Sequence, residues 1–418
     1  MHPVYISLGN INKSLRQKRN SKAWLLLAKL PTGRFHRTEF GTGKVENEKM
    51  PGILRQQLFH HSMRIVLEPL RTNRDTYRIL VGPDGKLRCC IAVLMAWIAD
   101  LEEQLMIVGV VNFHCPVCIA AKKDLGEPTC FSCCCGEWIL ETLSLIRAKY
   151  PSATTYEFSK AVRGLHLGLS GCTEEPCWEG LLLGPERFIK QDLLHGSHKF
   201  VWDHLMTWLT GTLGGSEIDS RYRAQPPMNG VRHFSNGISR LSQVSGREHR
   251  EVQKVLVPLI YTTDTPNNKH IVVSTRSLLD YIYTAQFPVI SASDIDHMVD
   301  ALLCFHAHKN VFIENGSQEP EHFQIPKLHA LPHLISDTRW SGTPDNFSTE
   351  TPESLHIENC KEPWHASNKC EVDEQILNFL TIKEKISLCA TYKLWKHSRQ
   401  RLNPPLVRCF HFGIVRHC

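Results

Sequence analysis

The sequence predicts an α/β protein whose core is interrupted by a mainly helical insertion and tied together by a zinc staple. Three observations carry that expectation. Strand and helix patterns alternate before residue 100 and end in an acid; helical periodicity dominates from about 138 to 325; and a Cys-x-x-Cys pair, Cys115 and Cys118 in HCPVC, is matched far downstream by a His-x-x-x-His pair, His329 and His333 in IPKLHALPH.

Taken in order, residues 3–9 and 23–29 (AWLLLAK) read as strands, and 52–70 as a helix with Leu54, Leu58, Phe59, Ile65 and Val66 near one face. The turn signal GPDG then separates 78–81 from 86–98 as a hairpin, whose second strand delivers Asp100 at its C-terminal end. The apolar run CCIAVLMAWIA is too short to cross a bilayer and reads as a buried strand, so no membrane partner is expected. Beyond 138 the helical pattern is broken by loops at GTLGG and TPNN. In QDLLHGSHKFVWDHLMTWL, Leu194, Val201, Leu205 and Trp208 share one helical face while Asp192, His195 and Lys199 lie opposite. An acid, an imidazole and an amine there could bind metal or phosphate, or simply be solvated. The resulting partition is 1–137 and 326–400 as two parts of one core, 138–325 as the insertion, and 401–418 as an unassigned tail.

A chain of 418 residues has room for two or three domains, and 42% hydrophobic with 22% charged residues describes a soluble globular protein. The N-terminus lacks a basic leader followed by an apolar stretch, so the sixteen cysteines are expected reduced or metal-bound rather than paired. Net charge is +6, yet residues 1–74 alone hold fourteen Lys or Arg against four Glu. Lys13, Arg16, Lys18, Arg19 and Lys22 could contact phosphates, or form a solvated face.

Two thiolates and two imidazoles form a closed tetrahedral set for structural zinc. Both pairs also have an ordinary reading as buried thiols and one side of a helix. Cys130, Cys133, Cys134 and Cys135 in CFSCCC offer a rival source of ligands. Metal-assisted phosphoryl transfer needs hard oxygen ligands, and Asp100 and Glu353 are the candidates, with Glu350 a close competitor. Asp100 could equally cap the helix LEEQL, with Glu103 completing a capping box, and Glu353 could be a first-turn acid after Pro352.

The stretches PVYISLGNI, AWLLLAKLP, FHHSMRIVLEPL, CPVC, DLLHGSHK, VRHFSNGISRLSQVSG, FHAHKNVFI, IPKLHALPH and TETPESLHIENCKEPWHASNK occur in the order found in the Plavaka transposases, a fungal, CACTA-related branch of DNA transposases, which this chain resembles from residue 3 to about 370. The resemblance implies an RNase H-like catalytic core and an Asp, Asp, Glu triad that cuts transposon ends and joins them to target DNA. It implies Mg²⁺ or Mn²⁺ at Asp100 and Glu353, structural Zn²⁺ at Cys115, Cys118, His329 and His333, an Asp-x-x-His element at Asp192 and His195, DNA as partner, a homo-oligomer, and the nucleus as location. Ser354 departs from the pattern, which usually has arginine there. The family's first aspartate precedes PVYISLGN, and no Asp occurs here before Asp75, so the sequence reads as truncated and inactive, or as a noncatalytic, zinc-stabilised DNA-binding remnant.

Overall fold

The protein is described by a computed structural model covering residues 2–33, 35, 38, 40, 43–72, 77–82, 85–242 and 244–401, with side chains to residue 397. The unassigned tail beyond 401 lies outside the described residues, as does Asp75. The chain forms two compact units, Met1–Glu353 and Ser354–Cys418.

In the first unit the strands are small and the helices carry the mass. Strand β1 (His2–Ser7) pairs antiparallel with β2 (Trp24–Leu30), with a bulge between Val4 and Tyr5. Helix α1 (Lys44–Thr72) is longer than expected and buries Phe59, Met63 and Leu67 against Ile107, Val108, Trp178 and Phe188. Its His60 is fully enclosed: Nδ1 accepts from Cys177 N (3.1 Å) and Nε2 donates to Met106 O (3.0 Å). Each such large apolar side chain contributes roughly 2 kcal/mol on burial.

The hairpin after α1 is shorter than the sequence suggests. Strand β3 (Arg78–Val81) pairs with β4 (Leu87–Cys90), and both are solvent-exposed. Four paired residues close the hairpin, and the rest of the apolar run then leaves it. It delivers Ala96 and Ile98 to one core cluster and Leu94 and Trp97 to another, instead of continuing as one buried strand. Only β5 (Trp97–Ile98) is regular there, and it pairs in parallel with β6 (Ile189–Lys190), Ile98 opposite Lys190. Parallel pairing sends both chains out at the same end, so Asp100 and Asp192, each two residues beyond the pair, emerge side by side.

Helices α2 (Leu101–Val108), α3 (Gly136–Lys149) and α4 (Thr155–Arg163) pack around the first cluster. The segment 193–205 is wound as wide helical turns of π type and runs into α5 (Met206–Leu213); Leu194, Val201, Leu205 and Trp208 are buried, as their periodicity predicts. The predicted loop GTLGG shrinks to Gly214 between α5 and α6 (Gly215–Ala224). A second core gathers around Phe200, Trp208, Leu256, Ile282, Phe305 and Leu331, built from α5, α6, α7 (Gly246–Tyr261), α8 (Asn268–Ala285), α9 (Ala292–His308) and α10 (Pro326–Ser341). Helix α11 (Glu350–His356) begins at Glu350, so Pro352 sits inside its first turn.

In the second unit, helical turns Ile357–Lys361 and Glu362–Ala366 precede the 30-residue helix α12 (Val372–Arg401), and Lys383 Nζ lies 3.0 Å from Glu362 Oε2. No helix among the described residues is long and apolar enough to cross a membrane.

Candidate functional site

Cys115 and Cys118 sit on the loop after α2, and His329 and His333 lie one turn apart on α10; all four are buried. Sγ of Cys115 is 3.3 Å from His333 Nε2, Sγ of Cys118 is 3.2 Å from His329 Nε2, and the two Nε2 atoms are 3.3 Å apart. Zinc bound to sulfur at about 2.3 Å and nitrogen at about 2.05 Å sets tetrahedral edges of roughly 3.4–3.6 Å. The donor spacing is therefore close to that of a zinc tetrahedron, and the cluster could hold such an ion. A hydrogen bond with Cys115, joined by those with His329 and His333, brings the Cys118 thiol down to about 2, while burial pushes Cys115 up.

The rival CFSCCC stretch does something else. Cys133 bridges Cys118 through the backbone, Cys134 N donates to Val117 O (3.0 Å), and Ile119 N donates to Ser132 O (3.1 Å). It braces the Cys-x-x-Cys loop as a neighbouring strand would, with Cys130 and Cys133 exposed. Among the described residues, only the Cys115, Cys118, His329 and His333 group brings three or more such donors close enough to share one ion.

The second constellation is built at the ends of β5 and β6. Asp192, for which the sequence leaves both a ligand-binding and a solvated role open, is buried, because it caps the turn after β6 and accepts from His195 N (3.0 Å). Its Oδ2 also accepts from His195 Nδ1 (2.6 Å) and Thr349 Oγ1 (2.7 Å), and its Oδ1 from Thr349 N (3.0 Å). Across the ring, His195 Nε2 lies 3.1 Å from Glu353 Oε1. Asp100 caps α2 by accepting from Glu103 N at 2.9 Å. The reciprocal half of the expected capping box is replaced, since Glu103 pairs with His2 Nε2 at 3.3 Å. Thus Asp100, Asp192 and Glu353 all act on one imidazole.

The electrostatics follow that arrangement. Burial opposes charge on His195, but the hydrogen bond and charge of Asp192, with Glu353 and Asp100 adding, raise it above its ordinary range. Burial would raise Asp192 too, yet His195 and Thr349 outweigh it and hold the carboxyl low. Glu353 goes the other way, raised first by burial and then by Asp192 and Asp100, against the pull of His195.

The remaining predicted residues separate. Glu350 is paired with Arg250, and Lys199 is exposed beyond the turn that carries His195. The N-terminal basic run is partly consumed: Lys13 Nζ is 3.0 Å from Asp345 Oδ2, and Arg16 is buried, donating to Gly9 O (3.1 Å) and Asn346 Oδ1 (2.5 Å).

Four contributors are not marked in the sequence. Thr349 bonds Asp192, and the fully buried Lys190 donates to Asp337 Oδ1 at 3.2 Å, while Gln191 N donates to Asp337 Oδ2 at 3.0 Å. Asp337 lies one turn beyond His333, so the helix that carries the two histidines also grips the residues just before Asp192. Nothing local in the sequence marks these pairings, which join positions 146 to 157 residues apart.

The profile of the Plavaka transposase family matches residues 1–209, half of the chain. No curated protein matches it.

Proposed function

The chain belongs to the Plavaka transposase family, and from that premise we propose that it is a CACTA-related DNA transposase of the DDE type, with an RNase H-like core centred on β5 and β6. One observation carries the reading: the charges of Asp100 and Glu353, far apart in the chain, both act on the imidazole of His195 beyond the end of a parallel strand pair, the position at which open α/β sheets place ligands. Asp100 and Glu353 would hold Mg²⁺ or Mn²⁺, which when bound supplies Lewis acidity to the scissile phosphate. Asp192 and Thr349 fix His195, and His195 in turn orients Glu353. In the reaction a water oxygen joins phosphorus as the 3′ oxygen leaves and takes up a proton, and the freed 3′-hydroxyl then attacks the phosphorus of a target phosphodiester, joining to its 5′-phosphate side as the target's own 3′ oxygen leaves and takes up the proton. Cys115, Cys118, His329 and His333 would hold structural zinc. DNA as partner, assembly as a homo-oligomer and a nuclear location belong to the same proposal.

A second reading has its own support. Both Asp192 oxygens are engaged by His195 and Thr349, one Asp100 oxygen caps α2 and one Glu353 oxygen faces His195, and no three carboxylates among the described residues come close enough to share an ion. That favours a noncatalytic, zinc-stabilised DNA-binding protein.

The deciding experiment is nicking of supercoiled plasmid with Mg²⁺ or Mn²⁺ by the full chain and by Asp100→Asn, Glu353→Gln and Glu350→Gln. Catalysis predicts loss of at least about 100-fold in the first two and near-normal nicking in the third. Salt-sensitive DNA binding without nicking selects the second reading. Nicking lost in Glu350→Gln but kept in Glu353→Gln would reverse the assignment.

A further inference from the structure

A second concentration of positive charge in the first unit lies away from the N-terminal run. Residues 221–254 contain six Arg and one Lys against two Glu, a surplus of five in a chain whose net charge is +6. Arg221 and Lys254 are paired with Glu217 and Glu251, and Arg223 donates to Ser220 Oγ. Arg232 pairs with Glu248 and Arg250 with Glu350, but Arg240 makes no hydrogen bond or ion pair among the described residues, and exposed Arg247 has only the charge of Glu251 nearby.

The scaffold beneath them is fixed. Asp219 accepts from Ile238 N (2.7 Å) and Ser239 N (2.9 Å) and from the Ser239 hydroxyl, while Phe234 and Ile238 are buried and Tyr222 donates to Val252 O (2.8 Å). Gly237 is required there: its φ is +76°, and a Cβ would fall 2.3 Å from the Asp219 carboxylate. The loop backbone that carries Arg232 and Arg240 is therefore held in place, while the Arg240 side chain is left exposed. Between Gly230–Arg232 and Ser245–Glu251 lies an open cleft of about 500 Å³ with Arg232 and Arg247, and also Glu248 and Glu251, on its walls.

We infer that Arg232, Arg240, Arg247 and Arg250 form a ledge that binds the phosphate backbone of double-stranded DNA. The identity of the polyanion rests on the transposase reading; the ledge itself rests on charge and geometry. A guanidinium fork matches phosphate oxygens in two directions, and a loop backbone already fixed loses little freedom on binding. The ledge also leads to the acids, because Arg250 pairs with Glu350, three residues before Glu353 on α11. Backbone contacts of this kind hold a duplex in position without reading its sequence.

The test is fluorescence anisotropy of a 30-base-pair duplex (about three turns) of random sequence, titrated with the full chain at several salt concentrations. For Arg240→Ala/Arg247→Ala, affinity falls on the order of 10-fold or more at about 0.1 M salt, and the salt slope shrinks by about 2, roughly one unit for each phosphate no longer neutralised. Both side chains are exposed, and an unchanged melting curve excludes misfolding. Unchanged affinity and slope in this variant, with both falling in Lys18→Ala/Arg19→Ala, would overturn the ledge. So would wild-type binding that ignores salt. The plasmid assay separates the two claims: a ledge variant without effect beside Asp100-dependent nicking refutes only the ledge, and the expected loss beside no nicking refutes only catalysis.

Discussion

At the residue scale, the zinc-type cluster is the part of the site most legible in the sequence, because each pair's short spacing already restricts its geometry and only the meeting of the two pairs remains to be arranged. Which thiols contribute is less legible, since HCPVC and CFSCCC look equally suited as strings of letters. Burial separates them: Cys115 and Cys118 face His333 and His329, while Cys133 offers its backbone. Metal content measured by atomic absorption tests this choice. Cys118→Ser is expected to lower bound zinc from about one per chain to near zero, and Cys133→Ser to leave it unchanged. Loss in Cys133→Ser alone would move the site to the CFSCCC stretch. Asp100 takes up the capping role that the sequence offered it: it caps α2, and its charge also acts on His195.

At the element scale, α10 is more than the carrier of two histidines. Its Asp337 lies four residues beyond His333 and clamps Lys190 and the backbone of Gln191, which fixes the exit of β6 and hence Asp192. Burial raises the Asp337 carboxyl, and the Lys190 charge opposes that rise. Removing one partner strands the other as an uncompensated buried charge, which costs about 3–5 kcal/mol. Asp337→Ala is therefore expected to lose that much in urea unfolding, and adding Lys190→Met should return a large part of it. A double variant no more stable than Asp337→Ala would show that the clamp's geometry, rather than the lone charge, sets the cost. The hairpin shows the converse, because GPDG and an apolar run predicted a strand to 98, whereas pairing stops at Cys90 and the later apolar residues are divided between two cores.

At the scale of the whole molecule, the first unit encloses several neutral histidines, which makes its stability depend on pH in a defined direction. Burial pushes His60 and His198 down to about 4 and His306 to about 3. A histidine that stays neutral when folded and ionises near 6.5 when unfolded gives the unfolded chain more bound protons between those values, so stability rises with pH there. The contribution is complete above about 6.5 and is lost as pH falls toward 4; for His60 alone it amounts to about 3 kcal/mol. Urea midpoints at pH 7.5 and 5 should differ accordingly, with His60→Gln reducing the difference; equal midpoints would refute the argument. The sequence by itself determined what depends on near neighbours: the first strands, the long helix, the buried face of 194–208, the paired cysteines and paired histidines, and the ordered motifs of the family. Tertiary structure alone decided which distant groups meet. A two-residue parallel pairing sends Asp100 and Asp192 out at the same end, Glu353 reaches His195 across the fold, Glu350 is drawn off by Arg250, and Asp192 is buried. The physical reason is that local periodicity specifies which face of an element is apolar, whereas the partner of a buried charge or an unpaired arginine is fixed only when separate elements close around one core.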